Sequence, residues 1–245
     1  MAAEERERIR GIFNRIAARY DVMNRIMTFG IDRGWRRSLV RAVPRTAARV
    51  LDIATGTADV ACALSAAATG APAIVGIDNA EIMLAEARRK IKAKHVRNIT
   101  LVRAAAEKMP FAAGSFDAAV VAFGIRNCTD NGVVLAEAAR VLRKGGVLAV
   151  LEFFRPDNIF TRIVQGTYVR LVIPLVARLL VRAAVDAYRY LGDSIAAYLS
   201  VKEFRVLAER SGFLHIRTKR FLFGVADLTV FSRTASKIKK GRGTT

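Results

Sequence analysis

The sequence is poor in the residues that build disulfide-rich, metal-binding or extracellular proteins. Its 245 residues include only two cysteines, two histidines and one tryptophan. Cys62 and Cys128 both lie in apolar stretches, so we expect core residues and a reducing compartment, with no disulfide framework and no metal site. The N-terminus carries Glu4, Glu5 and Glu7 instead of an apolar run, which argues against a secretory signal and favours a cytoplasmic location.

Acidic residues are also scarce relative to basic ones. The chain has 41 Lys and Arg residues against 21 Asp and Glu residues, a net charge of +20. Such a balance predicts a polyanionic neighbour, either nucleic acid or an anionic membrane surface. The arginines are dispersed along predicted helices, and a compact basic cluster occurs only at 237–242. Because no zinc-finger spacing or aromatic-rich RNA-binding pattern accompanies them, nucleic acid is the less favoured partner.

The most apolar stretch, 168–185, is too short in its uncharged part to cross a bilayer. Arg170, Arg178 and Arg182 interrupt it, and its longest uncharged piece is 171–177. At helical spacing the three arginines fall on one side and leave a broad apolar face. Such a helix can lie in a membrane interface, with its arginines towards anionic headgroups, or cover the active site and pack on the sheet, and the two are not exclusive. The sequence leaves both alternatives open.

A loop of small residues follows the first buried strand pattern. The apolar run that ends at Asp52 is followed by Ala54, Gly56 and Ala58, and a helical pattern then begins. This pattern is typical of a parallel strand that turns into a helix whose N-terminus lies against a ligand. A dinucleotide fingerprint would require glycine at Ala58 and Ala61, and the chain has none there. The spacing D-x-A-x-G-x-A instead resembles the first motif of S-adenosylmethionine-dependent methyltransferases.

A second carboxylate ends the next strand pattern. Asp78 closes the apolar run that begins at Ala73, and Asn79 follows it. A carboxylate at the tip of the second strand is placed to accept the hydroxyls of an adenosine ribose. The alternative is that Asp78 caps the helix that begins near Ala80.

Strand and helix patterns alternate along the chain. Strands are predicted at 49–54, 73–78, 98–103, 117–123, 146–153, 213–221 and 226–232. Helices are predicted at 4–27, 33–44, 57–68, 80–94, 131–143 and 200–212. This alternation predicts an α/β fold with a doubly wound, mostly parallel seven-stranded sheet that ends in a hairpin.

Three parts follow from this organisation. Residues 1–45 are expected to form an N-terminal helical lid. Residues 46–233 form the main domain, with a helical insertion at about 160–195 before the last two strands. Residues 234–245 are polar and basic, and we expect a disordered tail.

Four further segments match a single family. They are 13–24 (FNRIAARYDVMN), 109–111 (MPF), 123–127 (FGIRN) and 186–195 (DAYRYLGDSI). Together with the loop of small residues, they resemble the ubiquinone/menaquinone biosynthesis C-methyltransferases, and the likeness runs from about Phe13 to about Ser232. The loop alone is common to many methyltransferases, whereas the other segments in this order are specific. The resemblance implies the class I methyltransferase fold, which is Rossmann-like.

The resemblance also implies S-adenosylmethionine as the cofactor. The cofactor-binding residues are then Asp52, Ala54, Gly56, Thr57, Asp78, Asn79, Ala105, Ala106 and Ala122. Three positions depart from the family: Ala58 replaces a loop glycine, Ala105 an Asn or Asp near the adenine, and Ala122 a frequent Ser. A lost neutral hydrogen bond costs on the order of 1 kcal/mol, so we expect cofactor binding weaker by about tenfold for two of them.

The reaction implied is methyl transfer to a ring carbon of a membrane-dissolved prenylated quinol. The carbon becomes nucleophilic once the neighbouring hydroxyl loses its proton, so the site needs a proton acceptor and an oxyanion stabiliser. Arg126 and Asn127, directly after the fourth predicted strand, are expected to be catalytic, with Arg126 stabilising the phenolate. A structural role for Arg126 is the alternative.

The other expected residues lie on both sides of the main domain. Asp186, after the insertion helix, is a candidate catalytic base. The expected substrate-binding residues are Tyr20, Asp21, Asn24, Tyr188 and Tyr190. Hydrogen bonds between the lid and the sheet are the alternative role for each of them.

Such a substrate would place the enzyme at the inner face of a membrane as a peripheral protein, which agrees with the basic composition. Two alternatives stay open: a methyltransferase of another phenolic compound, and a non-catalytic scaffold subunit with a degenerate cofactor loop. A homodimer or a quinone-biosynthesis complex is also compatible with the sequence, as are benzoquinol and naphthoquinol substrates.

Overall fold

A single seven-stranded sheet organises the molecule. The computed structural model describes residues 30–67, 72–167 and 192–234, together with Gly11, Thr28 and Tyr190. The strands are β1 (Arg49–Ile53), β2 (Ala73–Asp78), β3 (Ile99–Arg103), β4 (Phe116–Ala122), β5 (Leu142–Glu152), β6 (Phe213–Phe221) and β7 (Ala226–Arg233). Their order is β3-β2-β1-β4-β5-β7-β6. β7 runs antiparallel to both of its neighbours, and the other pairs are parallel.

The chain reverses its direction across the sheet between β1 and β4. From β1 it proceeds outward through β2 to β3, and it then returns to the other side of β1 as β4. Asp52 in β1 consequently pairs with Gly76 on one side and Val120 on the other. In sheets of this kind, ligands bind in the crevice beyond the carboxyl ends of the two strands at the reversal.

Helices cover both faces of the sheet. Within the described ranges they are α1 (Asp32–Val40), α2 (Asp59–Ala67), α3 (Glu81–Ala93), α4 (Asn131–Val141), α5 (Ile159–Thr167) and α6 (Val201–Arg210). One buried cluster holds Trp35 of α1 and Leu64 of α2, and the other holds Leu135 of α4 and Phe204 of α6. The central strands contribute alternate residues to the two clusters, Val50 to one and Leu51 to the other. The predicted α/β fold is therefore confirmed.

The start of β5 differs from the prediction. The helix predicted at 131–143 ends at Val141, and the strand predicted from 146 begins at Leu142. Leu142 pairs with Phe116 of β4, and the register then shifts before Ala118, so the basic and glycine residues 143–146 belong to an irregular strand start. The sequence misled here because a basic pair followed by glycines is also typical of a helix end.

Several expected elements lie outside the described residues. These are most of the helix at 4–27, the apolar stretch at 168–185 and all of the tail except Thr234. Of the expected lid, the structure describes residues 30–45, which include α1, together with Gly11 and Thr28. Within the described ranges, no helix has both the length and the apolar character needed to cross a membrane.

Candidate functional site

A cavity lies at the carboxyl edge of the sheet, beyond the ends of β1 and β4, where the strand order reverses. Its lining comes from the last residues of β1, β2 and β4, from the segments that follow β1 to β4, and from a few helix residues, including Arg36 of α1. All nine positions that the resemblance assigns to the cofactor line it: Asp52, Ala54, Gly56, Thr57, Asp78, Asn79, Ala105, Ala106 and Ala122. Their convergence agrees with the prediction, and the role of each residue stays a prediction.

The loop after β1 is wound tightly against its neighbours. Ala54, Gly56 and Ala58 have φ angles of 53°, 55° and 64°, so every second residue lies in the left-handed region. A side chain on Gly124, in the segment after β4, would bring its Cβ within 2.6 Å of the Ala54 Cβ. Because its φ angle is 64°, Ala58 adopts a left-handed conformation that favours glycine, at a cost of about 1 kcal/mol.

Asp52 is buried directly beneath this loop. It is 1% exposed, and the Thr55 hydroxyl donates to its Oδ2 over 2.6 Å. Burial raises the pKa of Asp52 to about 7, although the Thr55 hydrogen bond opposes the rise. A carboxyl group with this pKa changes charge near neutral pH inside the cavity lining.

Asp78 links the loop after β1 to the loop after β2. Its Oδ2 accepts from the Gly56 amide and its Oδ1 from the Ala80 amide, both at 2.9 Å. Burial raises its pKa, and the backbone donors oppose that rise. The contact with Ala80 reaches the residue before α3 and no amide of the first helical turn, so it is not a helix cap. Asp78 also lines the cavity, and its contact with a ribose stays a prediction. A carboxylate has lone pairs beyond two, so it can still accept from a ligand hydroxyl.

A charged cluster on α1, α2 and α3 borders the cavity, and sequence reasoning missed it. Arg36 of α1 lines the cavity and pairs with Asp32 and, at 3.5 Å, with Asp59. Lys90 of α3 donates to Asp59 over 2.6 Å and to Thr57 over 2.9 Å. The Arg36 Nε is buried and makes no hydrogen bond to the described part of the chain. These residues come from three helices, so no spacing in the sequence marks them.

Arg126 lies behind the cavity wall. Its side chain is 4% exposed and forms an ion pair with Glu152 at the end of β5. Glu152 also accepts from the amides of Phe153, at 2.8 Å, and Arg126, at 3.3 Å. Burial raises the pKa of Glu152, while the charge of Arg126 and the N–H donors oppose that rise. This arrangement favours the structural interpretation of Arg126, and its contact with a phenolate stays a prediction.

Asn127, by contrast, lines the cavity and meets a second predicted residue. The Tyr190 hydroxyl donates to the Asn127 Oδ1 over 3.0 Å. Close by, the Arg126 Nε donates to the Ser194 hydroxyl, also at 3.0 Å. The short helical turn 125–127 therefore holds Tyr190 and Ser194 beside the cavity through these two hydrogen bonds. The other expected residues, Tyr20, Asp21, Asn24, Asp186 and Tyr188, lie outside the described residues.

The cysteines show no arrangement for nucleophilic or metal chemistry. Cys62 is a buried core residue, as predicted. Cys128 is partly buried and lines the cavity, and burial raises its pKa, which keeps the thiol protonated. Among the described residues, no three His, Cys, Asp or Glu side chains are grouped to hold a metal ion.

Comparison with known proteins identifies the family. Residues 1–231 match the model of the ubiE/COQ5 methyltransferase family. The chain belongs to this family. A ubiquinone/menaquinone biosynthesis C-methyltransferase UbiE from Syntrophotalea carbinolica is 44% identical over 220 residues, which cover 89% of this chain and 91% of that one. A demethylmenaquinone methyltransferase from Thermus thermophilus is 40% identical over 223 residues, with 91% and 100% covered.

Solved structures agree on the fold of this ubiE/COQ5 family member. A methyltransferase from Thermotoga maritima, described as S-adenosylmethionine-dependent and possibly a histamine N-methyltransferase, matches with a TM-score of 0.65 at 20% identity, covering 91% of this chain and 99% of that one. The YcgJ protein from Bacillus subtilis matches with a TM-score of 0.60 at 17% identity, covering 81% and 97%. At such identities these neighbours show the fold alone.

The predicted family and cofactor are thereby confirmed: the chain is an S-adenosylmethionine-dependent methyltransferase. The site fits this cofactor. Small residues leave room above the β1 loop, Asp78 offers acceptor oxygens, and Arg36 brings a buried N–H donor to the cavity lining.

Proposed function

We propose that this enzyme methylates a ring carbon of a prenylated quinol in quinone biosynthesis, at the surface of an anionic membrane. The observation that carries the proposal is the position of Asn127 and Tyr190 beside a cavity lined by all nine cofactor positions. Relatives named for ubiquinone/menaquinone biosynthesis and for demethylmenaquinone, at 44% and 40% identity, support this substrate class.

Different cavity residues are proposed to bind different groups of the cofactor. When bound, S-adenosylmethionine supplies an electrophilic methyl group on a sulfonium. We expect Asp78 to accept from ribose hydroxyls, because it lines the cavity at the end of β2 and its carboxylate has further lone pairs. Asp52 offers a negative charge to the cationic groups of the cofactor when it is ionised.

We expect the wall after β4 to hold the quinol. The Asn127 amide nitrogen is a hydrogen-bond donor of the kind that stabilises an oxyanion, and Tyr190 orients the amide by donating to its oxygen. The ion pair of Arg126 with Glu152 keeps the turn 125–127 in place. Arg126 then acts as a positioning residue, since its guanidinium is turned to Glu152 and Ser194.

The membrane part of the proposal depends on charge and on the substrate. A net charge of +20 attracts the protein to anionic lipids, and a prenylated quinol dissolves in the bilayer. A peripheral location on the inner face of the membrane follows. Equal partitioning between neutral and anionic vesicles would contradict it.

The first test is titration calorimetry of the purified protein with S-adenosylmethionine. We expect binding in the micromolar range that Asp78→Ala abolishes. Asp130→Asn is the matched control, because Asp130 also accepts from two backbone amides at a helix start but does not line the cavity. The second readout is methylation of a short-chain demethylmenaquinol. Binding without methylation of any quinol would favour another phenolic substrate, and no binding by folded protein would favour a scaffold subunit.

A further inference from the structure

Helix α5 buries two polar side chains and exposes three large apolar ones. Thr161 and Gln165 are 3% and 4% exposed, whereas Ile159, Phe160 and Ile163 are 68%, 57% and 60% exposed. A surface helix normally turns its apolar stripe towards the core. Here two uncharged polar residues, Thr161 and Gln165, face inward, and three large apolar residues face outward beside the exposed Arg162.

The inward polar face is fully engaged. The Thr161 hydroxyl donates to the Phe223 carbonyl over 3.0 Å. The Gln165 amide donates to the Phe154 carbonyl over 3.1 Å and to the Val225 carbonyl over 3.3 Å. These hydrogen bonds fix the rotation of α5 about its own axis, so the outward direction of its apolar residues is built into the fold.

The turn between β6 and β7 adds to the same surface. Leu222 and Phe223 have φ angles of 45° and 57°, and they are 40% and 68% exposed. Gly224 lets the turn approach α5, because a Cβ there would lie 2.7 Å from the Thr161 Cγ2. The Phe223 ring meets the Phe160 ring edge-on, with 5.7 Å between centroids. A strained backbone thus holds an aromatic side chain in solvent, and such strain is characteristic of functional sites.

We call Ile159, Phe160, Ile163, Leu222 and Phe223 the outer patch. Contiguous exposed apolar surface marks an interaction site. The patch lies at the edge of the sheet where the cavity opens: α5 follows the carboxyl end of β5, and the turn precedes β7, whose Asp227 pairs with Glu152 there.

Basic side chains lie around the patch. Arg162 is exposed on α5 between Phe160 and Ile163, and Lys219 and Arg220 are exposed just before the turn. Arg220 pairs with Asp157 and with the buried Asp227, so the positive charge of this surface comes from Arg162 and Lys219. Apolar side chains among cations match an anionic bilayer, in which acyl chains lie beneath negative headgroups. A second copy of the chain fits less well, because it would bring another positive surface and a further +20 of charge.

We infer that the outer patch is the surface by which this protein docks on an anionic lipid bilayer, with the cavity edge towards the membrane. The inference builds on the proposed function and names the surface that the membrane contacts. Docking here would place the cavity edge at the depth where a prenylated quinol presents its ring.

The test is co-sedimentation of the full chain with phosphatidylcholine vesicles, with and without phosphatidylglycerol. We expect binding to the anionic vesicles, and a fall in partitioning of about tenfold or more in the double variant Phe160→Gln/Ile163→Gln. Leu214→Gln is the matched control: Leu214 is 59% exposed but lies at the other end of β6. We expect it to behave as the wild type.

Three outcomes would overturn the inference. They are unchanged partitioning of the double variant, an equal loss in Leu214→Gln, and a wild-type dimer that the double variant dissociates without vesicles. Two further measurements distinguish failure of the docking inference from failure of the proposed function. They are calorimetry with S-adenosylmethionine and methylation of a short-chain quinol in detergent-free buffer. Both should be unchanged in the double variant, since no residue of the patch lines the cavity. Phe223→Ser provides a second variant, which we expect to lower partitioning in the same direction.

Discussion

The two walls of the cavity use buried carboxylates in opposite ways. On the β1–β2 wall, Asp52 and Asp78 line the cavity and accept from a hydroxyl and from backbone amides. On the β4–β5 wall, Glu152 is fully buried behind the lining and is held by the Arg126 guanidinium. A carboxylate whose partners are neutral donors keeps its negative charge available to a cationic ligand. In a carboxylate paired with arginine, that charge is already neutralised by the partner. Buried carboxylates therefore stabilise the fold on one wall and, in our proposal, bind the ligand on the other.

The largest expected effect tests the architectural wall. Glu152→Gln leaves the Arg126 charge buried without its partner, and breaking such a pair costs about 3 kcal/mol or more of unfolding free energy. Urea unfolding monitored by circular dichroism measures the loss. Arg88→Gln breaks an exposed pair, whose members are 53% and 49% exposed, and should cost less than about 1 kcal/mol. Equal losses in the two variants would show that the buried Arg126–Glu152 pair contributes no more to stability than an exposed pair.

The next effect concerns the ligand-binding wall and its border. Arg36→Lys keeps a positive charge near Asp32 but removes the buried Nε donor. If Arg36 binds the carboxylate of the cofactor, affinity for S-adenosylhomocysteine should fall by about tenfold. Affinity for 5′-methylthioadenosine, which lacks that carboxylate, should not change. Calorimetry with both ligands decides the matter, and a parallel loss for both would mean that Arg36 only shapes the cavity.

The third effect depends on pH. Because burial raises the pKa of Asp52 to about 7, acidification below neutrality protonates it and removes a charge that attracts the cationic cofactor. We expect the affinity for S-adenosylmethionine to fall as the pH drops below about 7, by at most about tenfold per unit. Asp52→Asn should bind more weakly at pH 8 and lose this dependence. A pH profile that is the same in the wild type and in the variant would assign the titration to another group.

The smallest effect concerns the loop. Ala58→Gly relieves a left-handed conformation worth about 1 kcal/mol but removes a buried methyl group worth about 0.8 kcal/mol, so the unfolding free energy should change by less than about 0.5 kcal/mol. Ala61→Gly, in α2, gains no such relief and should cost about 1 kcal/mol or more. Thermal unfolding compares the two. A loss in Ala58→Gly as large as that in Ala61→Gly would show that Ala58 is not strained.

The comparison of the walls also shows what the sequence could predict. Parallel strands end at one edge of the sheet, so residues after each apolar run, such as Asp52, Asp78 and Asn127, can be placed together from the strand pattern alone. The conformation of Ala58 was foreseeable too, because a glycine is usual there. The partner of Arg126 was not foreseeable, since Glu152 closes a strand 26 residues later and its burial depends on packing. Arg36 was missed for the same reason: its orientation depends on how α1 packs against α2.

The outward apolar face of α5 has a consequence for the protein away from any membrane. Exposed isoleucine and phenylalanine side chains favour aggregation of dissolved copies, while mutual repulsion at a net charge of +20 keeps the copies apart. Salt screens that repulsion without weakening the apolar attraction. Colloidal stability of the purified enzyme should therefore decline as ionic strength rises. The charge that we propose attracts the protein to lipid would then also keep it in solution.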